Sequence, residues 1–241
     1  MRNTLVVIPT YNEIENIEAI IRATFTAMPI ADVLIVDDNS PDKTAEKVAE
    51  LQEEFVEQLH LLQRKKKEGL GTAYIAGFKW ALNKSYQYIC EMDADFSHNP
   101  NDLKKLYKAC HDDGADVSIG SRYKSGVNVV NWPMNRVLLS YFASKYVQLI
   151  TQMNINDATA GFICYKRKVL EEINFNKVQF VGYAFQIEMK FKAYLKGFTI
   201  VEVPVIFTDR TKGTSKMNGS IISEAVFGVI VMKLKSLFKN K

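Results

Sequence analysis

Asp93 and Asp95 stand one residue apart in Met92-Asp93-Ala94-Asp95-Phe96-Ser97-His98, directly after the strand-like run Tyr86-Gln87-Tyr88-Ile89-Cys90. If strand geometry persists, side chains two residues apart point the same way, so both carboxylates converge on one spot. Hard carboxylate oxygens suit Mg²⁺ or Mn²⁺, and an ion that keeps water and phosphate ligands needs only one or two of them. The competing reading is an acidic turn ahead of a helix, with Asn99-Pro100 as its start signal.

The elements that must position this pair alternate between apolar strand runs and helical patterns, which predicts α/β architecture around a mostly parallel, Rossmann-like sheet. Strands are predicted at residues 5–8, 33–36, 60–62, 88–92, 116–119 and 198–203. Helices are predicted at 13–27, from 41 to about 54, and at 72–82, 102–110, 135–150 and 182–195. Within the last of these, Phe185, Met189 and Leu195 read as core. No repeat or long linker interrupts the pattern, so one domain is expected. Ligands of open parallel sheets bind at the carboxyl ends of the strands. Those positions hold Pro9-Thr10-Tyr11-Asn12-Glu13, Asp37-Asp38-Asn39-Ser40-Pro41, Asp93-Ala94-Asp95 and Gly120-Ser121-Arg122. So many carboxylates at one edge suit a metal and sugar hydroxyls, whereas a metal-free phosphate site calls for glycines and cations. Asn39 and Asp42 also read as plain turn formers.

The chain has 241 residues, 47% hydrophobic and 24% charged, enough for a sizeable core and unlike a disordered chain. Cys90, Cys110 and Cys164 are too scattered for a zinc cluster or disulfide framework, and suit a reducing compartment. The opening run from Arg2 into Leu5-Val6-Val7-Ile8 reads as a buried strand, not a signal peptide. The net charge of +4 belongs to the tail, since seven basic residues and one acidic residue follow Asp209. That distribution argues against a nucleic-acid surface and for a local contact with phosphates or an anionic membrane. A dinucleotide fingerprint is missing: Pro9 to Glu13 contains no glycine, and Gly69-Leu70-Gly71 meets Tyr74 where the third glycine belongs. Walker A and G-x-S-x-G signatures are also missing, and His60, His98 and His111 form no metal pair.

In this order, Pro9-Thr10-Tyr11-Asn12-Glu13, Val36-Asp37-Asp38-Asn39-Ser40-Pro41-Asp42, Gly69-Leu70-Gly71-Thr72-Ala73-Tyr74 and Met92-Asp93-Ala94-Asp95 resemble family 2 inverting glycosyltransferases of the GT-A fold. Four further groups are similar to dolichyl- or polyprenyl-phosphate mannosyltransferases. These are Gly120-Ser121-Arg122-Tyr123, Trp132 with Arg136 and Ser140, Asp157-Ala158-Thr159-Ala160-Gly161-Phe162, and Val203 to Arg210 with Gly213, Ser215 and Lys216.

The resemblance implies a nucleotide pocket at Pro9, Tyr11, Glu13, Val36 and Asp38. It implies a diphosphate and Mg²⁺ or Mn²⁺ site at Asp93, Ala94 and Asp95, with Asp95 the first choice as ligand. Ser97 stands where some relatives have Gln, a better ligand. Arg122, Arg136 and Ser140 would receive the acceptor phosphate, and Arg210 and Lys216 the donor; Asp93, Asp95 and Arg122 form the catalytic set. The implied reaction moves mannose from GDP-mannose to polyprenyl phosphate with inversion. The alternatives are a UDP-glucose-dependent polyprenyl-phosphate glucosyltransferase and, from another class, a non-catalytic nucleotide-sugar binding or membrane-recruiting module. Glu188 reads as a structural partner of a basic residue, and Lys65-Lys66-Lys67 as a solvated loop near the donor phosphates.

Residues 1–217 are expected to be catalytic and 218–241 an amphipathic, basic C-terminal helix. Its apolar run, Ala225 to Met232, is far short of the ~20 residues a spanning helix needs. Ile222, Val226, Val229, Ile230, Leu234 and Leu237 recur at helical spacing beside Lys233, Lys235, Lys239 and Lys241, as in a helix lying in a membrane interface. Packing on the domain, or on a membrane-anchoring partner subunit, is the competing reading. A peripheral protein at the cytoplasmic face of a membrane is expected.

Overall fold

Leu5, Val6, Val7 and Ile8 are wholly buried because strand β1 (Thr4–Thr10) runs through the middle of a sheet covered on both sides. Leu5 and Val7 enter one core, and Val6 and Ile8 the other, as alternation along a strand requires. The computed structural model describes residues 2–182, 184–209 and 219–238, with the side chains of 226–237 in the last stretch. After β1 come α1 (Ile17–Ala27), β2 (Ala31–Asp37), α2 (Thr44–Glu54), β3 (Leu59–Gln63), α3 (Leu70–Leu82) and β4 (Tyr88–Glu91). Then follow α4 (Leu103–His111), β5 (Val117–Ser121), β6 (Val129–Val130), α5 (Met134–Thr151), β7 (Ile163–Lys166) and α6 (Arg167–Glu172). The chain closes with α7 (Ala184–Leu195), β8 (Ile200–Pro204), β9 (Phe207–Thr208) and α8 (Gly219–Phe238).

The large sheet has the order β3-β2-β1-β4-β7-β5-β8, while β6 and β9 pair separately. All its pairings are parallel except those of β7, which runs antiparallel to both β4 and β5. The fold is therefore the expected single α/β domain with a mostly parallel sheet. Strand β7 was not foreseen: four residues are too few to show a period, and Ile-Cys-Tyr-Lys carries no turn signal. Its direction matters for function. The amino end of an antiparallel strand lies at the same edge as the carboxyl ends of its neighbours, so the segment leading into β7 arrives beside Asp93 and Arg122.

Helix α1 begins at Ile17 rather than residue 13, because Asn12 takes a left-handed conformation (φ 58°) and residues 13–16 form a turn closed by Asn16 and Ile17 N–H to the Glu13 carbonyl. Phe185 and Met189 on α7 are buried as expected, but Leu195 at its end is half exposed and does not belong to the core.

Helix α8 divides its apolar residues between the domain and the outside. Val229 is buried in the core, Gly228 lies so close to the Phe180 ring that an added Cβ would stand 2.6 Å from it, and Tyr146 Oη donates to the Val226 carbonyl at 2.8 Å. Phe227, Val231, Leu234 and Leu237 face outward, and α5 exposes Met134, Leu138, Phe142 and Leu149. Among the described residues no helix is long and apolar enough to cross a membrane.

Candidate active site

Strand β4 ends at Glu91, so the two aspartates sit on a loop, not on the expected strand continuation. They still meet: Asp93 and Asp95 line one cavity, and just after them the chain turns sharply at Phe96, a non-glycine residue at φ 59°. Such conformations cost on the order of 1 kcal/mol or more and gather at functional sites. The loop is pinned on several sides. Tyr74 Oη donates to Asp93 Oδ1 at 3.3 Å, Ser97 N–H donates to Asp95 Oδ1 at 3.0 Å, and Asp93 N–H donates to His98 Nδ1 at 3.3 Å. Burial lowers the His98 pKa to about 4, so the ring is neutral and accepts that bond, stacked on Phe162 at 4.8 Å.

The donor set fits a hard divalent ion. Two carboxylates face the cavity, and Ser97 Oγ, buried beside them, has no partner among the described residues. Among the described residues no cluster of three or more His, Cys, Asp or Glu would hold a metal by protein alone, so an ion held here would need further ligands such as water or a phosphate.

Pro9, Tyr11, Glu13, Val36 and Asp38 gather around the carboxyl ends of β1 and β2, where Pro9 pairs with Val36 and Asp38 N–H donates to the Thr10 carbonyl at 3.0 Å. None of the five lines the cavity that holds the aspartates. The Val36 side chain is wholly buried in the core beneath the sheet, which leaves only its backbone for a nucleotide. Asp37 organises the turn, accepting from Thr10 Oγ1, Ser40 N–H and Ser40 Oγ at 3.0, 2.9 and 2.6 Å. Asp38 accepts from Arg64 Nη1 at 2.8 Å, and Arg64 also donates to Thr72 Oγ1 and Glu68. Burial raises the Asp38 pKa above the ordinary carboxylate value against the pull of Arg64. Arg64 was overlooked in the sequence, although it follows β3 at the same edge. Lys67 places its ammonium 4.2 Å above the Tyr11 ring, so the lysine run reaches the carboxyl edge of β1.

Arg122 is not a mobile phosphate hook. Its Nε and Nη2 bond both oxygens of Asp157 at 2.7 and 2.6 Å, its N–H adds a third bond at 2.9 Å, and Nη2 reaches Thr159 Oγ1 at 2.8 Å. Burial alone would raise the Asp157 pKa; the charge and hydrogen bonds of Arg122 outweigh it and hold the carboxyl below its ordinary value. Glu202 fixes the same segment, accepting from Asn156 and Asp157 N–H at 2.9 Å each. Arg136 stacks 4.0 Å over Trp132 and pairs with Asp209 at 2.8 Å. Arg122, Arg136 and Ser140 line the cavity together with the aspartates; Arg210 and Lys216 lie outside the described residues. Glu188 accepts from Gln179 and Phe180 N–H and pairs with Lys192, a structural role.

The cavity measures about 390 Å³ and has a mixed lining. Its lining combines the aspartates and arginines with an apolar set, Leu139, Phe142, Val147, Val226 and Val229, from α5 and α8.

A mostly parallel sheet with paired aspartates at its carboxyl edge, facing guanidinium groups across a cavity, is the layout of a GT-A type glycosyltransferase. Residues 5–174 match the model of Glycosyl transferase family 2, and the chain belongs to that family. The polyprenol monophosphomannose synthase of Mycolicibacterium smegmatis is 46% identical over 228 residues, 95% of this chain and 86% of that protein. The undecaprenyl-phosphate mannosyltransferase of Micrococcus luteus is 43% identical over 225 residues, 93% of this chain and 91% of that protein. Among solved structures, the glucosyl-3-phosphoglycerate synthase of Mycobacterium tuberculosis, in complex with Mn²⁺, UDP and glucosyl-3-phosphoglycerate, superposes with a TM-score of 0.68 over 98% of this chain and 80% of that one. At 15% identity that likeness is one of fold.

Proposed function

We propose that this glycosyltransferase moves mannose from GDP-mannose to a polyprenyl phosphate, giving a β-linked polyprenyl-phosphate mannose. The observation that carries this reading is the mixed lining of the cavity: its charged groups suit anions, and its apolar side chains suit an isoprenoid chain. The names of the two relatives point to the same acceptor class.

In this reading Pro9, Tyr11, Glu13, Asp38 and the Val36 backbone hold the nucleotide, and Asp93, Ala94 and Asp95 face its diphosphate. Asp93 and Asp95 would hold Mg²⁺ or Mn²⁺, which supplies positive charge to the leaving diphosphate. Arg122, Arg136 and Ser140 orient the acceptor phosphate, with Arg210 and Lys216 assigned to the donor side. An acceptor oxygen forms the new bond to the anomeric carbon as the carbon–oxygen bond to the diphosphate breaks, and the bonding pair leaves with GDP. A phosphate monoester is already anionic near neutral pH, so it needs orientation more than a general base. Single displacement inverts the anomeric centre.

Residues 1–217 carry catalysis, and 218–241 with the outer face of α5 seat the protein on the cytoplasmic side of a membrane, alone or beside an anchoring subunit. Buried apolar area and basic charge drive such attachment. The test is transfer by purified protein with Mn²⁺, polyprenyl phosphate and either GDP-mannose or UDP-glucose. Lipid-linked mannose from GDP-mannose is expected; lipid-linked glucose alone refutes the donor assignment, and no transfer refutes the reaction.

A further inference from the structure

Among the described residues Lys190 is the only lysine without solvent exposure. An ammonium in an apolar interior is costly unless its hydrogen bonds are met. Lys190 meets all three: Nζ donates to the carbonyls of Ala158, Ala160 and Gln186 at 3.1, 2.5 and 3.1 Å. Two of these acceptors belong to the segment between α5 and β7. That segment alternates its business. Asp157 and Thr159 hold Arg122 with their side chains, while Ala158 and Ala160 turn their carbonyls to Lys190. The third acceptor, Gln186, lines the same cavity as Arg122 and donates its amide to Glu91 at 2.5 Å. One ammonium thus ties the Asp157 segment to helix α7, which form two walls of the cavity.

We infer that Lys190 is a positioning residue for the transfer reaction: it fixes the Asp157–Thr159 segment, and through it the guanidinium of Arg122, at the reacting end of the cavity. A methionine of similar volume would fill the space but strand the carbonyls of Ala158 and Ala160, each an unmet buried acceptor. The segment would move to find partners and carry Asp157 and Thr159 with it. The charge of Lys190 also favours ionised Asp157, the form that grips Arg122.

This inference rests on the transfer reaction proposed above, and a double-mutant cycle tests it. Lys190→Met should lower kcat for mannosyl transfer roughly 30-fold, with donor nucleotide Kd changed less than about 3-fold. In an Arg122→Lys background, which already lacks the two-point fork, the same substitution should cost less than about 3-fold. Penalties that multiply in the double variant, or an unchanged kcat in Lys190→Met, overturn the inference. Should Lys190→Met fail to fold, Lys190→Gln goes through the same cycle under the same criteria. A readout independent of turnover separates this idea from the proposed reaction. Trp132 lies 5.4 Å from the Arg122 guanidinium, so in a Trp80→Phe background its emission should shift alike in Lys190→Met and Arg122→Lys. A shift in a protein that transfers no mannose keeps the positioning role and refutes the reaction; no shift refutes the positioning role.

Discussion

Arg122 and Asp157 form a buried two-point ion pair, with Nε to Oδ2 at 2.7 Å and Nη2 to Oδ1 at 2.6 Å. Asp157 is wholly buried and spends its oxygens on Arg122, so the guanidinium plane is set before any substrate arrives. A side chain oriented in advance loses little freedom on meeting a phosphate. The cost lies in desolvation, and it makes the pair a sensitive point: losing one partner of such a pair leaves a buried charge uncompensated, at about 3–5 kcal/mol.

Asp157→Asn should therefore lower the melting temperature and cut transfer more than donor affinity. The sign of its pH effect follows from the depressed pKa of Asp157. Its contribution is fully present above the ordinary aspartate value of about 4 and is lost as pH falls through the lower, folded-state value. Melts between pH 2.5 and 6 should show an acid-side loss in the wild type that is smaller in Asp157→Asn. Equal acid slopes would contradict the assignment.

Glu91 behaves in the opposite sense. Burial raises its pKa to about 8, and Gln186 donates to one of its oxygens. The folded protein then keeps a proton that the unfolded chain releases near pH 4.3, so stability falls as pH climbs from about 4.3 towards 8. Glu91→Gln keeps the shape without the titration and should flatten the melting temperature across pH 5–8. A variant curve as steep as the wild type would exclude Glu91 as the source.

Much of this was legible in the sequence because period and punctuation were strong. The run at Leu5 to Ile8 and its counterparts predicted the parallel strands, and strand-end logic located Asp38, Asp95 and Arg122. Short or non-periodic features were not legible. Strand β7 has four residues, and without it nothing placed Asp157 beside Arg122. Lys190 looks like any helical lysine until the fold buries it, and Arg64 is an ordinary basic residue until Asp38 meets it. The tail stripe read as one face, yet Val229 points into the core while Leu234 and Leu237 stay outside.

That split changes how the tail should be tested, since truncation would also uncover the core around Val229. Phe227→Asp with Leu234→Asp alters only outward residues. The pair should weaken binding to anionic liposomes at least about tenfold, with the melting temperature nearly unchanged. Gly228→Ala, whose new methyl would press on Phe180, should instead destabilise the protein by about 1–3 kcal/mol. Unaltered liposome partitioning of the double variant would remove α8 from the membrane contact.

A variant of Arg136 tests the proposed division between acceptor and donor. Arg136→Lys keeps the charge but loses the planar stack on Trp132 and the fork suited to phosphate oxygens. The apparent KM for polyprenyl phosphate should rise while donor nucleotide Kd stays close to wild type. Weaker donor binding with an untouched acceptor KM would move Arg136 to the donor side.

Asp95 carries the prediction on the metal. Its carboxylate faces the cavity next to Asp93 and the Ser97 hydroxyl, which has no partner among the described residues, and its Oδ1 is oriented by the Ser97 N–H at 3.0 Å. Asp95→Asn keeps the size and an oxygen that can accept this bond, but removes one negative charge where, in the proposed reaction, a divalent ion and a diphosphate would share the site. The fold should survive, and transfer should drop on the order of 100-fold or more. Raising Mn²⁺ should recover part of the loss, because a weaker site fills at higher concentration. In the wild type, excess chelator should stop transfer and added Mg²⁺ or Mn²⁺ restore it. Full turnover in chelator would show that the arginines neutralise the diphosphate without a metal, and that Asp95 serves to shape the loop.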